Sequence, residues 1–301
     1  MKIINGSEKS SRSKADLFEV LIADGLTKYF KIKKSFEHEI FELRNTLLSF
    51  RDGRYRIAEQ ETNARRALEI IIDFLSKHKI NKIKDVDWIG RKHQTEHTLS
   101  DIDLTDEGDN LIGISVKSVR TGTGTQKNLG YGTVKEYLSV DIDVMLEDMW
   151  NNVRKELIKN KLPMIAELNK GEIKNSKYKH PIIKSIGCQC GLPVQKDAVE
   201  QSVNNFNRLS ATKKSEFLKC IYGIEEDKKL INLVCQPHKI EIYWNDKYNA
   251  IIEGRDITAK KATDKSYYIE HDGIPILRVQ TSFTNGVGIS AFCQRAFLMD
   301  L

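Results

Sequence analysis

Proline is absent before Pro163 in this 301-residue chain, and cysteine is absent before Cys188. Together the two absences mark a shift in composition near the middle, and the expected division is a first lobe over 1–162 and a second over 163–301. The five cysteines are odd in number and follow no secretory signal, so free thiols are expected rather than a disulfide framework. Long apolar runs are missing at the amino terminus, MKIINGSEKSSRSK, which excludes a signal peptide or membrane span there and predicts a cytoplasmic protein with no membrane partner. Internal repeats, heptads and low-complexity tracts are also lacking. Charge of one sign is only mildly in excess, with 48 basic residues against 42 acidic, too little to identify a nucleic-acid binder. That excess sits between Arg154 and Lys184, where nine Lys or Arg face three Glu; the stretch reads either as a solvated face or as a footprint for phosphates.

What is present is 40% hydrophobic and 30% charged, enough for an adequate core. The segments ADLFEVLIADGLTKYF, FEHEIFELRNTLLSF and RIAEQETNARRALEIIIDFLSKH carry apolar residues at helical spacing. The short runs KDVDWIG, SDIDLT and NLIGISVKSV read as strands, the last two joined by DEGDN, and VKEYLSVDIDVMLEDMWNNVRKELI returns to helical period. The predicted class is α/β of the mixed α+β kind, a central mixed sheet flanked by helices, followed by a carboxyl-terminal α+β lobe. In that second lobe a long helical stretch precedes several strands, and Asn285-Gly286 is the strongest hairpin signal.

The chemistry concentrates in LSDIDLTDEGDNLIGISVKS. Alternation puts Asp101 and Asp103 on one face of a strand, and Ser115 and Lys117 on one face of the next. With DEGDN as the turn, the expected register pairs 103 with 115 and 101 with 117, gathering two carboxylates, a hydroxyl and an ammonium. A carboxylate pair can hold Mg²⁺, which prefers oxygen ligands, and a nearby lysine can orient an attacking water and stabilise phosphate charge. The plain alternative is a half-buried hairpin with a cross-strand Asp–Lys pair. On the third helical segment Ile57, Ala64, Leu68, Ile71 and Leu75 form an apolar stripe that also carries Glu61, a candidate third carboxylate.

At these residues the chain resembles the PD-(D/E)xK, or restriction-endonuclease-like, nuclease superfamily, and within it the type II restriction endonucleases. The resemblance covers roughly residues 57 to 160. It implies a helix bearing a Glu, a meander with Asp on its second strand and (D/E)xK on its third, then a helix and a further strand. On that basis Asp101, Ser115, Lys117 and Glu61 are the implied catalytic residues, and Asp101, Asp103 and Glu61 the implied Mg²⁺ ligands, with Glu19 and Glu136 as rival carboxylates. Ser115 departs from the pattern, standing where most of the family has an acid. The implied activity is Mg²⁺-dependent, site-specific cleavage of double-stranded DNA by a homodimer, with a cognate DNA methyltransferase in the same system. A repair or junction-resolving nuclease, or a non-catalytic DNA-binding module on the same scaffold, remains open.

Other signals are weaker. TGTGTQKNLGYGTVK lacks a GK[ST] ending, which excludes a nucleotide-binding P-loop; it reads as a loop whose Lys127, Asn128 and Tyr131 could meet DNA, or as plain solvent loop. Cys188, Cys190, Cys235 and His238 could make a zinc site, though at unusual spacing. Trp88, Trp150 and Trp244 read as core, and His93 and His97 as polar loop residues.

Overall fold

The structure is a computed structural model that describes residues 7–89, 100–118, 125–169, 172–173, 181–224, 229–253, 256–283 and 291–299. The chain is mixed α and β. In order its elements are α1 (Ser7–Tyr29), α2 (Glu37–Leu48), α3 (Gly53–Lys77), β1 (Ile83–Trp88), β2 (Ile102–Asp106), β3 (Leu111–Ser118) and β4 (Thr125–Gly130). There follow α4 (Tyr131–Leu138), α5 (Asp143–Lys159), α6 (Pro163–Ala166), α7 (Pro181–Arg208), α8 (Ala211–Tyr222), β5 (Lys229–Cys235) and β6 (Ile240–Trp244). The last are α9 (Asn249–Ile252), β7 (Ile257–Thr263), β8 (Ser266–His271), β9 (Ile274–Phe283) and β10 (Phe292–Leu298). No helix among the described residues is long and apolar enough to cross a membrane.

The chain forms two compact units, one from 1–124 and 223–249 and the other from 125–222 and 250–301. The division expected at 162/163 therefore falls elsewhere, for a local reason. Pro163 opens the one-turn helix α6, whose Ala166 packs with Val153 and Leu157 of α5 and Ile183 and Ile186 of α7 in one cluster. The proline-rich shift thus lies inside a core.

In the first unit the sheet order is β1-β2-β3-β5-β6. β1, β2 and β3 form an antiparallel meander, β5 joins β3 in parallel, and β6 returns antiparallel to β5. Alternation decides its faces. Ile102, Leu104, Ile112, Ile114, Val116, Ile231, Leu233 and Cys235 share a core with Leu17, Phe18 and Ile22 of α1 and Ala64, Ile71 and Leu75 of α3. A parallel pair requires a long crossover, and here the connection from β3 to β5 contains 125–222, most of the second unit.

The second unit has its own sheet, β4-β10-β9-β8-β7, antiparallel throughout. Residues 125–130, expected as loop, are strand β4 because β10 supplies their ladder, with Leu129 paired to Gln294 and buried. β9 and β10 pair with Phe283 opposite Phe292; Asn285-Gly286 between them lies outside the described residues.

Candidate active site

The hairpin between β2 and β3 is set by Asp106. Its Oδ1 accepts hydrogen bonds from the backbone N–H of Gly108 (2.8 Å) and Asn110 (2.9 Å), its Oδ2 accepts from Asn110 Nδ2 (2.9 Å), and Asp109 takes a positive φ of 64°. This turn is centred on Gly108, the middle residue of DEGDN, one residue before the centre that the expected pairing of 103 with 115 requires. The register is therefore Ile102 to Ile114, Asp103 to Gly113 and Thr105 to Leu111, not 103 to 115. The shift carries Asp103 away from Ser115 and Lys117. Asp103 is buried instead, and its Oδ1 accepts a hydrogen bond from Ser100 Oγ at 2.6 Å.

Asp101 lies just before β2, fixed from both neighbouring strands. Its N–H donates to Ile114 O at 2.8 Å, its carbonyl accepts from Ile89 N–H at 3.0 Å, and its Oδ2 accepts from Val116 N–H at 2.6 Å. Ile114 is also the partner of Ile102, so two residues on the β2 side oppose one on β3, the signature of a bulge, which re-aims the side chain at its first position. The carboxylate takes the place of the strand that has ended. Ser115, 3% exposed, adds a side-chain hydrogen bond to it.

Glu19 of α1 completes the group. Trp88 Nε1, at the end of β1, donates to Glu19 Oε2 at 3.3 Å. Burial and the Asp101 charge push the Glu19 carboxyl up to about 8, with Asp16 adding to the rise and the Trp88 indole and Lys117 ammonium opposing it. Asp101 is also raised, chiefly by burial; Lys117, the Val116 N–H and Ser115 hold it down, while Asp16 raises it. Two carboxyl groups thus compete for one proton beside an ammonium and a hydroxyl.

The structure brings together Asp101, Ser115 and Lys117 from the expected set, with Glu19 as the helix carboxylate. Glu61 is placed elsewhere. The buried stripe of α3 runs through Gln60, Ala64, Ala67, Ile71 and Leu75, so Glu61 lies one residue off it, half-exposed, and pairs with Arg44 of α2. Glu136 is exposed on α4, in the other unit. Lys127 is partly buried and donates to Cys220 O at 2.7 Å; Asn128 is exposed; the Tyr131 hydroxyl accepts from Ile142 N–H at 3.0 Å. The cysteines of the zinc reading belong to different units: Cys188 is exposed and Cys190 half-buried on α7, and Cys235 is buried on β5, where desolvation pushes its thiol up to about 12. His93 and His97 lie outside the described residues. Among the described residues no three His, Cys, Asp or Glu side chains gather closely enough to hold a metal.

Three contributors escaped sequence reasoning. Trp88 packs against the core as expected, and its indole N–H also supports Glu19; Asp16 precedes Glu19 by three residues, a helical spacing that could have flagged it. Asn232 of β5, paired with Ser115 across the parallel ladder, is 1% exposed, and neither polar atom of its side chain has a hydrogen-bond partner among the described residues. No family model matches the chain, and comparison with the curated proteins finds no match.

Proposed function

We propose that this protein is a Mg²⁺-dependent endonuclease acting on double-stranded DNA at specific sites, in the manner of a type II restriction enzyme. The observation that carries the reading is the meeting of Glu19, Asp101 and Lys117, from one helix and two strands, in a pocket of charge where both carboxyl groups are driven toward protonation. Two adjacent, partly buried carboxylates want a counter-charge, and one or two carboxylates with water suit Mg²⁺. The donor set therefore fits the ion, with Asp101 and Glu19 as its holders. When bound, the ion supplies Lewis-acid polarisation of the scissile phosphate. Lys117 orients the attacking water and faces the charge that develops on phosphorus oxygens; Ser115 and the Val116 N–H keep Asp101 aimed; Trp88 does the same for Glu19.

The element order supports the same reading. A helix bearing Glu19, a meander with Asp101 leading its second strand and Lys117 on its third, and then helices and a further strand, β5, follow the arrangement that the restriction-endonuclease-like resemblance implies. A twofold homodimer would cut both strands of a palindrome, and such an enzyme needs a methyltransferase to protect its own sites.

Plasmid digestion with Mg²⁺ tests the reading. Discrete fragments are expected from the native protein, and Asp101→Asn and Lys117→Ala are each expected to slow cutting about 100-fold or more with melting temperature and DNA binding retained. Normal cutting by either variant removes the site assignment. Because Ser115 replaces an acid, a non-catalytic DNA-binding module is the second reading, and shifted but intact DNA with the native protein would establish it.

A further inference from the structure

Resting on the nuclease reading above, we propose that the corner between α2 and α3 grips the sugar–phosphate backbone of duplex DNA through Arg51 and Arg54. The corner is built tightly. Phe50 N–H donates to Leu47 O at 3.0 Å and Gly53 N–H to Phe50 O at 3.1 Å, and a Cβ added at Gly53 would run into the backbone of Leu47. The chain therefore reverses in a few residues and leaves its side chains facing outward. Leu48, Phe50, Arg51, Asp52, Arg54 and Tyr55 line an open depression of about 550 Å³. Tyr55 is 72% exposed, unusual for so large a ring in a place with nothing packed over it.

Charge selects the occupant. The Asp52 carboxylate is taken by Arg56 Nε at 2.8 Å, which holds it below the usual carboxylate range. Among the described residues Arg51 and Arg54 make no ion pair, so the depression presents two uncompensated guanidinium groups, which match phosphate oxygens in a forked geometry. The Tyr55 hydroxyl adds a donor of the kind that contacts phosphates without reading sequence.

Position gives these arginines a reason to meet the same DNA. Lys14 of α1 pairs with Glu59 of α3 at 2.6 Å, and its charge also reaches Asp52 in the corner. Glu19 follows Lys14 by five residues on α1, a rise of about 7.5 Å. The corner thus lies beside the stretch of α1 that leads up to Glu19, so a duplex long enough to span both can meet the corner and the proposed site together.

Fluorescence anisotropy with a 20-base-pair duplex, in EDTA to prevent cutting and over a series of NaCl concentrations, tests the proposal. Arg51→Ala/Arg54→Ala is expected to bind about tenfold more weakly, with the slope of log affinity against log salt reduced by about 1.8, the value for two lost phosphate contacts. The control Lys33→Ala/Lys79→Ala removes the same charge just past the carboxyl-terminal ends of α1 and α3, and is expected to keep the native slope. A native slope in the arginine variant, from a protein that still cuts DNA, overturns the corner assignment and leaves the nuclease reading standing. Arginine-dependent binding by a native protein that never cuts supports the corner and removes the nuclease. A variant that binds DNA normally but loses mass in analytical ultracentrifugation makes the corner a subunit contact and overturns the DNA assignment.

Discussion

In the sheet of the second unit Tyr267 donates to Gln294 Oε1 at 3.0 Å, Gln294 Nε2 donates to Ser202 Oγ at 2.8 Å, and Gln195 Nε2 donates to Thr281 O at 3.0 Å. All three relays are buried or nearly so, and each polar group finds a mate. The first unit treats polarity otherwise. Asn232 on its sheet and Gln60 on α3 are each 1% exposed with no partner for either amide atom among the described residues, and Glu19 and Asp101 sit where burial opposes their ionisation. A buried unsatisfied amide costs about 1–3 kcal/mol, so a satisfied network reads as architecture and an unsatisfied one as a site kept at the expense of stability.

The carboxyl pair offers the largest test of that contrast. Glu19 has an ordinary value near 4.5 in the unfolded chain and about 8 in the folded one, so between those limits the native state binds the extra proton. Stability from this group is therefore fully present below pH 4.5 and is lost as pH rises toward 8. Glu19→Gln keeps the shape of the neutral acid, and is expected to stabilise the metal-free protein on the order of 4 kcal/mol at pH 8 and negligibly at pH 4.5, given 1.36 kcal/mol per unit. Thermal melts in EDTA at the two pH values measure it. An equal difference at both would show that Glu19 carries no such proton.

The second unit is expected to respond in the opposite direction. Gln294→Leu keeps the volume but strands the Tyr267 and Ser202 hydroxyls, at a cost of about 2 kcal/mol at any pH between 5 and 8. Urea unfolding followed by tryptophan fluorescence reads the loss. A neutral result would mean that the relay contributes nothing, and the contrast between the two sheets would lose its structural half.

Much of the first unit was legible because its signals are local. The helical spacing of α1 to α3 and the alternation of β2 and β3 are visible within ten or twenty residues, and they place Asp101, Ser115 and Lys117 on neighbouring strands. What depends on partners far along the chain was not legible. Glu61 and Glu19 both sit on apolar helices, and only Arg44 beside one and Trp88 with Asp101 beside the other tell them apart. The expected register was one residue off at its centre: Asp106, through three hydrogen bonds to its side chain, closes the turn about Gly108, and that centre pairs Asp103 with Gly113. β4 was hidden in a glycine-rich stretch since its ladder comes from β10, and the division into units was hidden because β3 meets β5 only after most of another unit has intervened.

Asn232 gives the finest test. Its parallel pairing with Ser115 places both side chains on one face of the sheet, and the Ser115 hydroxyl now serves Asp101. If Asp101 holds a cation as proposed, that hydroxyl would need another acceptor, and the Asn232 amide oxygen offers one from the paired position. Asn232→Leu removes two unsatisfied atoms at nearly constant volume, so the folded state is expected to gain about 1 kcal/mol, a rise of a few degrees in melting temperature. Cleavage is expected to fall at least tenfold in the same variant, because Ser115 then has no second partner and Asp101 is less well held. A variant that is both more stable and fully active would show that the misfit serves nothing, and the stranded amide would lose its claim as a mark of function.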